Sequence, residues 1–384
     1  MALDFTLTSE QEAMKESCRK FAEKEVSPGA MDRDIKGEFH MEGFKKCGQF
    51  GLLGLAIPQE YGGGGTDVIT LMAAMEGFGR GCRDGGFLLS MSAHIVIVTI
   101  PIWLFGNEEQ KKKYLPKLCS GEFIGAFALT EPEAGSDAQN IQTTAVKKGD
   151  KWVLNGTKMF ITNGNIADVA IVMATVDKSK KAGGITAFLV EKGTPGFTVS
   201  RVLDKIGMRS SPTCELVFED CEVPEANVLG KVGQGFMIAM ETLGWERSTM
   251  AAISIGGFES ILAKCVQYAR DRKQFGQPIG SFQAIQHKIA DMRVGLEITR
   301  LLVYKCAWQK SQGKNDMVTN SIAKLYITET GQKIVHDAVQ IHGGYGLMRE
   351  FEVERALRDS LLGTIGGGTS EIQRMIISRT LLGL

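Results

Sequence analysis

The chain contains 384 residues, of which 43% are hydrophobic and 23% charged, and its 44 lysines and arginines balance 44 aspartates and glutamates. This composition is that of a globular protein and excludes wholesale disorder, and the length supports two or three packed units. A neutral chain has no global basic field to attract nucleic acid or a membrane surface, so a local cluster of cations must bind any anionic ligand. We therefore expect no nucleic-acid partner and no membrane partner.

The cysteines and the N-terminal segment indicate a reduced compartment. None of the eight cysteines forms a CxxC pair or a zinc-like spacing with histidine, so no metal site is predicted. Residues 1–15 have neither an apolar signal core nor an arginine-rich leader, and the apolar stretch Ile95–Phe105 is too short, and too broken by Pro101, to span a bilayer. We expect a cytoplasmic protein of prokaryotic type, with a processed mitochondrial-matrix form as the alternative.

Residues 1–123 are predicted to form a helical domain. Ser9 and Glu12 have the spacing of a capping box, and apolar residues then recur at intervals of three and four, as on one face of a helix. Asn107 is the predicted N-cap of a charged helix over Glu108–Leu118. The glycine-rich loop between these helices has no following Lys-Ser/Thr, which excludes a P-loop.

From residue 124 to residue 230 the apolar period changes to two, which is typical of strands. Asn155-Gly156 is the favoured dipeptide of a two-residue hairpin and is predicted to be the turn between two strands. Short apolar segments separated by turn residues continue to Phe218. This region is therefore predicted to be a β-sandwich or β-barrel of about 100 residues.

Residues 231–384 return to a helical period. The predicted helices are Gly235–Arg270, Ser281–Gln312, Asp316–His342 and Glu350–Leu361. The lengths of these helices favour a helical bundle with heavily buried faces. The chain is thus predicted to have an α+β fold with three domains, over residues 1–123, 124–230 and 231–384.

Several motifs occur in order along this layout. They are FALTEPEAGSD at 127–137, FITNG at 160–164, RKQFG at 272–276, and the pair QIHGGYG at 340–346 and IGGGTSEIQR at 365–374. Together they resemble the motifs of acyl-CoA dehydrogenases, and the resemblance covers essentially the whole chain. It implies an N-terminal helical domain, a middle β-barrel or β-sandwich domain and a C-terminal four-helix bundle. It also implies FAD, an acyl-CoA substrate, an electron-transferring flavoprotein as electron acceptor, and a homotetramer built as a dimer of dimers.

The resemblance places five residues near the flavin. Thr130 and the backbone of Leu129 face the pyrimidine ring, Thr162 offers its hydroxyl near N5, and Ser136 lies close to the flavin phosphate and the CoA arm. Phe160 stands where many relatives have a tryptophan, which keeps an aromatic face but removes the indole N–H. Donors near N5 suit a ring that receives negative charge with a hydride.

A second group is assigned to the pyrophosphate. Arg272 can bind phosphate oxygens in a bidentate manner, and Gln274 adds a neutral donor, from a loop that in the family reaches the FAD of a neighbouring subunit. Gly343 and Gly344 resemble the place where bare backbone lies against the same cofactor. An arginine at a solvated helix end is the alternative interpretation of Arg272. The remaining predicted cofactor residues are Phe275, Gln340, Thr369 and Glu371.

The catalytic base departs from the usual pattern. Most family members carry a glutamate where this chain has Gly367, and glycine cannot accept a proton. A subset that resembles isovaleryl-CoA and long-chain acyl-CoA dehydrogenases places the glutamate on a helix, directly before an arginine, and Glu246-Arg247 matches that arrangement. We therefore predict Glu246 as the base, and the Gly367 N–H as a donor to the thioester oxygen. A solvated ion pair is the alternative for Glu246-Arg247.

The substrate is expected to be a branched, alicyclic or otherwise bulky acyl-CoA, because the glycines at 366–368 leave room near the reacting carbons. The residues predicted to contact it are Met91, Ser136, Trp245, Arg247 and Gly368, with Phe87, Leu89 and Ile95 also in the pocket. Two other functions stay open. One is an enoyl-CoA reductase that runs the same half-reaction in reverse, and the other is a flavin-binding protein without acyl-CoA dehydrogenase activity.

Overall fold

The computed structural model describes residues 6–384. Residues 1–5, which begin the first predicted domain and the segment in which no leader is predicted, lie outside the described residues. From residue 6 to residue 120 the chain is mainly helical, as predicted, and its α-helices are α1 (Ser9–Phe21), α2 (Ala30–Lys36), α3 (Met41–Gln49), α4 (Val68–Gly81), α5 (Gly85–Ala93), α6 (Ile100–Phe105) and α7 (Glu108–Ser120).

The first helix cap lies one residue earlier than predicted. Thr8, not Ser9, is the N-cap: its hydroxyl accepts from the N–H of Gln11 at 3.2 Å, and the Gln11 side chain accepts from the N–H of Thr8 at 3.0 Å. Ser9 already belongs to the helix. The prediction for α7 is confirmed, since the Asn107 side chain accepts from the N–H of Gln110 at 2.8 Å.

Among residues 6–384, two helical stretches are long and apolar enough to cross a bilayer by length and composition alone. One is Gly85–Phe105, of 21 residues, in which the π-helical segment His94–Thr99 joins α5 to α6. The prediction that Pro101 breaks this stretch is wrong: the helix continues through Pro101 to Phe105, and the π-helical segment directly before α6 changes the hydrogen-bond pattern at the point where the proline lacks an N–H. The other is Gly235–Asp271. The most apolar window of the first stretch is 72% buried within the protein, and that of the second is 50% buried.

The middle of the chain forms one connected sheet of eight strands, which confirms a β domain. The strands are β1 (Gly125–Ala128), β2 (Thr144–Lys148), β3 (Lys151–Thr162), β4 (Val169–Thr175), β5 (Ile185–Glu191), β6 (Phe197–Val202), β7 (Thr213–Pro224) and β8 (Val228–Leu229). Their order is β6-β7-β3-β2-β4-β5-β8, with β1 parallel to β4. Strands β6 and β8 lie at the two ends of this order and do not pair with each other, so the described strands do not close into a barrel.

The predicted hairpin turn at Asn155-Gly156 is wrong. Strand β3 runs through both residues, and the turn between β2 and β3 lies instead at residues 149–150. Gly156 marks a register shift against β7, and a Cβ there would lie 2.6 Å from the Cα of Thr143. A glycine in a strand interior is typical of a bulge or of close backbone approach, and Gly156 shows both features.

The C-terminal part is helical, as predicted, with long helices that pack on one another. Its elements are α8 (Gly235–Asp271), a short hairpin of β9 (Lys273–Gln274) and β10 (Gln277–Pro278), α9 (Gln283–Ser311), α10 (Met317–His342), α11 (Val353–Ser360) and α12 (Ser370–Leu382). Helix α10 packs against α8, α9 and α12. The sequence analysis did not predict α12, which begins where the Thr369 hydroxyl accepts from the N–H of Ile372 at 3.3 Å.

A fully buried carboxylate joins the N-terminal helices to the bundle. Glu76 of α4 pairs with Lys15 of α1 at 2.9 Å and with Arg300 of α9 at 3.0 Å, and it accepts a hydrogen bond from the Tyr304 hydroxyl at 2.8 Å. The paired cations offset the cost of burying this charge. Close by, α8 approaches the backbone of α4 at Gly256, where a Cβ would overlap the carbonyl of Glu76.

This contact predicts opposite effects for two adjacent glycines. Gly256→Ala should destabilise the protein by about 1–3 kcal/mol or more, because backbone atoms of α4 cannot move aside. Gly257→Ala is the matched control: no atom in the described part of the chain lies within 4 Å of its Cβ, so it should be neutral or stabilise α8 by up to about 1 kcal/mol. Thermal melts of both variants measure the difference, and equal melting temperatures would contradict the close contact.

Candidate active site

The centre of the site is a contact between α8 and the glycine turn at residues 366–368. Glu246 lies on α8 and is partly buried. A Cβ built on Gly367 would lie 3.1 Å from both carboxylate oxygens of Glu246. Gly367 and Gly368 have φ values of +66° and +95°, which side chains rarely adopt. The structure therefore brings together Glu246 and Gly367, the two residues predicted to carry the chemistry.

Three buried side chains hold the carbonyl groups of this turn. The Arg247 Nε donates to the carbonyl of Gly367 at 3.2 Å, and the Lys324 Nζ donates to the carbonyl of Gly368 at 2.6 Å. The Gln373 Nε2 donates to both carbonyls, at 3.3 and 2.9 Å. Within residues 6–384, the N–H of Gly367 donates to no acceptor and stays available to a ligand.

The charges at this site act on one another. Burial raises the pKa of Glu246, and the positive charges of Arg247 and Lys324 oppose that shift. Burial also lowers the pKa of Lys324 to about 8, against the pull of Glu246. A partly buried carboxylate with a raised pKa is a suitable proton acceptor near neutral pH. The solvated ion pair considered from the sequence is wrong, because Arg247 is only 4% exposed and bonds to the Gly367 carbonyl.

The predicted substrate pocket is only partly present. Phe87 and Met91 are fully buried, Phe87 against Phe39 and Phe78, and Ile95 is also in the core. These three side chains therefore pack the interior and do not line an open pocket. Leu89 is partly exposed.

Trp245 also packs inward. It is largely buried, and the Lys310 Nζ lies 5.3 Å from the centre of its ring. The same Nζ donates to the carbonyl of Gly244 at 3.2 Å and to the side chain of Asn315 at 2.6 Å. Trp245 thus supports the helix turn beside Glu246 from the interior of the bundle.

The residues assigned to the flavin ring lie where β1 meets β3. The N–H of Met159 donates to the carbonyl of Thr130 at 2.9 Å, which joins the end of the first motif to β3. Thr130 and Thr162 are partly exposed, Leu129 is buried, and Ser136 is exposed. Phe160 is 65% exposed and has a φ of +61°, so its ring projects from a backbone bulge.

A buried ion pair that the sequence analysis missed supports this edge. The Lys158 Nζ donates to Glu131 at 2.7 Å and to the carbonyl of Leu129 at 3.0 Å. Lys158 is fully buried, and burial lowers its pKa to about 8 against the pull of Glu131. The signal in the sequence was a lysine in an otherwise apolar strand segment. Such a lysine needs a carboxylate partner.

A cavity of about 520 Å³ lies at the C-terminal ends of α8 and α10. It brings together four predicted cofactor residues, Arg272, Gln274, Gly343 and Gly344. No atom of residues 6–384 lies within 4 Å of a Cβ at either glycine, so bare backbone faces open space. The Arg272 guanidinium lies 5.6 Å from the ring centre of Tyr345, a cavity residue that the sequence analysis did not single out.

The other predicted cofactor residues lie outside this cavity. Phe275 is 92% exposed at the tip of the β9–β10 hairpin, and Gln340 is exposed on α10. Thr369 caps α12, and Glu371 is exposed in its first turn, where hydrogen bonds lower the pKa of its carboxyl. The structure does not gather all the predicted cofactor residues into one pocket of a single chain.

Three protein-family models match the chain in order. They are the acyl-CoA dehydrogenase N-terminal domain at residues 8–122, the middle domain at 126–221 and the C-terminal domain at 233–382. The chain belongs to the acyl-CoA dehydrogenase family. It is 47% identical to an acyl-CoA dehydrogenase of Bacillus subtilis, over 98% of this chain and 99% of the relative. It is 42% identical to the acryloyl-CoA reductase (NADH) of Anaerotignum propionicum, over 99% and 96%.

Solved structures agree over the whole chain. Butyryl-CoA dehydrogenase from Megasphaera elsdenii is 43% identical with a TM-score of 0.95, and the prolyl acyl carrier protein oxidase AnaB is 41% identical with a TM-score of 0.97. A chain in a structure of the electron transferring flavoprotein of Acidaminococcus fermentans is 44% identical with a TM-score of 0.96. Each match covers 99% of this chain and 100% of the other. The predicted family and three-part fold are confirmed.

FAD is the cofactor of this acyl-CoA dehydrogenase, as predicted, and the FAD complex of PigA matches it at 36% identity with a TM-score of 0.96. The residues present fit the group. The cavity offers a guanidinium for phosphate oxygens and bare backbone at Gly343 and Gly344 for close approach. Thr130 and Thr162 offer partly exposed hydroxyls and Phe160 an exposed ring for the isoalloxazine.

We expect Arg272→Gln to weaken FAD binding by about 10- to 100-fold, because a charge-assisted bond to phosphate contributes about 1.5–3 kcal/mol. The measurement is FAD retained after desalting, together with the affinity of the apoprotein for added FAD. Lys273→Gln is the matched control, since its exposed side chain does not line the cavity. Equal loss of FAD in both variants would indicate a general charge effect and remove Arg272 from the site.

Proposed function

We propose that the chain catalyses the FAD-dependent α,β-dehydrogenation of an acyl-CoA thioester, with Glu246 as the base that removes the α-proton. The contact between Glu246 and the glycine turn carries this proposal. Most family members have a glutamate at the position of Gly367, and here the Glu246 carboxylate occupies the space that a side chain at 367 would enter. One carboxylate is thus supplied to the same place from a different element.

The surroundings of Glu246 suit proton abstraction from a weakly acidic carbon. Burial raises the pKa of the Glu246 carboxyl, and this reduces the difference between its pKa and that of the thioester α-carbon. The free N–H of Gly367 can donate to the thioester oxygen, where negative charge grows in the transition state. FAD, when bound, supplies the acceptor for the hydride from the β-carbon. The proton stays on the Glu246 carboxyl, which must release it before the next turnover.

We propose a short, unbranched acyl group as the preferred substrate. The expectation of a bulky group assumed that the glycines at 366–368 leave empty space, but the Glu246 carboxylate lies against Gly367 and fills part of it. The match to butyryl-CoA dehydrogenase from Megasphaera elsdenii supports a short chain.

The electron acceptor and the assembly are also proposals. An electron-transferring flavoprotein is the proposed acceptor, supported by the match to a chain in the Acidaminococcus fermentans structure. The proposed assembly is the homotetramer that the family resemblance implies, and the division of the predicted cofactor residues between the β domain and the cavity at Arg272 supports sharing of FAD between subunits. The predicted cytoplasmic location stays a prediction.

A second candidate is the reverse reaction, reduction of an enoyl-CoA. The whole-length match to acryloyl-CoA reductase favours it, and the same base would then return its proton to the α-carbon. The match to AnaB, a prolyl acyl carrier protein oxidase, suggests one more candidate substrate besides an acyl-CoA and an enoyl-CoA, namely a thioester on a carrier protein.

A panel of thioesters added to the oxidised protein without oxygen separates these functions. We expect butyryl-CoA to bleach the flavin, isovaleryl-CoA to do so about tenfold or more slowly, and a prolyl carrier protein not to do so. Crotonyl-CoA added to the reduced protein measures the reverse direction. If no acyl-CoA changes the flavin spectrum, the protein binds flavin without acyl-CoA dehydrogenase activity and the proposal fails.

We expect Glu246→Gln to keep its fold and FAD but to lose about a hundred- to ten-thousand-fold in kcat, because the amide cannot accept the α-proton. Glu241→Gln, on the same helix, is the control and should keep the wild-type rate. A normal rate in Glu246→Gln would rule out this residue as the base.

Moving the glutamate from position 246 to position 367 tests whether both positions place a carboxylate in the same space. Glu246→Ala combined with Gly367→Glu should recover part of the lost rate, reduced by about 1–2 kcal/mol of backbone strain at φ +66°. Glu246→Gln combined with Gly367→Glu should recover less, because the retained amide lies about 3 Å from the new Cβ. Equal recovery in both double variants would show that the two side chains do not compete for one space.

A further inference from the structure

Two buried side chains hold the glycine turn from the bundle side, and no family resemblance assigned either of them. Lys324 on α10 is 6% exposed, and its Nζ donates to the carbonyl of Gly368 at 2.6 Å. Gln373 on α12 is fully buried and donates to the carbonyls of both Gly367 and Gly368. The two residues therefore contact the same backbone, one with a charge and one without.

These bonds limit the orientation of the turn. A peptide unit is planar and trans, so a fixed carbonyl also fixes the N–H on the other end of that unit. Gly367 and Gly368 have no side chain to restrict them, and glycine populates many backbone conformations. Holding the carbonyls of Gly367 and Gly368 on the bundle side therefore also fixes the N–H groups of Gly368 and Thr369, and it restricts the backbone that lies against Glu246.

Lys324 also brings a charge close to the base. The groups that act on it are Glu246 and Arg247 from α8, Glu371 from α12, and Glu329 from α10 itself. Its positive charge stabilises the ionised form of Glu246, as does that of Arg247. Gln373 makes no such contribution because it is neutral.

We propose that Lys324 is a positioning residue for the dehydrogenation: it holds the carbonyl of Gly368 and places a positive charge beside Glu246, whereas Gln373 contributes only the hydrogen bonds. This inference rests on the proposed role of Glu246. A purely structural lysine would behave like Gln373, so comparing the two residues separates charge from geometry.

The test uses the holoenzymes of Lys324→Met, Lys324→Arg and Gln373→Met, with kcat/KM for butyryl-CoA measured as a function of pH. Activity requires ionised Glu246, so kcat/KM rises with pH through the pKa of that carboxyl. Removing the positive charge raises this pKa, so Lys324→Met should shift the acidic limb upwards by about one pH unit. Lys324→Arg keeps a charge and should keep the wild-type limb. Gln373→Met should lower kcat about tenfold and leave the limb in place.

A second readout does not depend on turnover. Hydrogen exchange of the peptide that contains residues 366–369 should be faster in Lys324→Met and in Gln373→Met, because each loses a bond to the turn, and unchanged in Lys324→Arg. If Lys324→Met does not fold, Lys324→Gln takes its place: it also removes the charge but leaves a polar side chain, and it should shift the acidic limb in the same direction.

The outcomes separate this inference from the proposed function. An unshifted acidic limb in Lys324→Met refutes the role of its charge, and unchanged hydrogen exchange refutes the role of its hydrogen bond. An acidic limb that persists in the residual activity of Glu246→Gln would instead show that Glu246 is not the base. That result overturns the proposed function and leaves the exchange result on Lys324 intact.

Discussion

The candidate site depends on a partly buried carboxylate held against a glycine turn. Burying the charge of Glu246 is unfavourable, and the structure offsets the cost with the positive charges of Arg247 and Lys324. Each cation also bonds to a carbonyl of the turn that faces the carboxylate. Helices α8, α10 and α12 each contribute one of the groups that hold the turn, so the packing of the bundle sets the geometry of the base.

The same physical solution occurs in the β domain. Lys158 is buried, pairs with Glu131, and bonds to the carbonyl of Leu129 at the point where the flavin is expected to lie. In both places a buried cation bonds to a backbone carbonyl of the segment that carries the function. Charge-assisted bonds are stronger than neutral ones, and in both places they fix backbone that has no regular secondary structure. Buried charged side chains therefore support the site, in addition to the polar residues that are expected to act in it.

The cofactor residues form two surfaces. One is the edge of the sheet at Thr130, Phe160 and Thr162, and the other is the cavity at Arg272, Gly343 and Gly344. Phe160 in the first surface, and Phe275 on the hairpin next to the second, have positive φ values and largely exposed rings. Strained backbone and bare aromatic rings are typical of binding surfaces, which agrees with a cofactor that needs contacts from more than one part of the assembly.

The sequence by itself determined the family, the FAD cofactor, the three-part layout and the Asn107 cap, because each depends on residues close together in the chain or on motifs in a fixed order. It also singled out Glu246, from a glycine at 367 and an arginine at 247. Tertiary structure decided what depends on distant residues: Lys324 and Gly368 are 44 positions apart, and Arg247 and Gly367 are 120 apart. It placed Phe87 and Met91 in the core and turned Asn155-Gly156 into part of a strand, because burial and β-bulges depend on which segments pack together. Local pattern carries no information about that packing, so the support of the base became visible only in the folded chain.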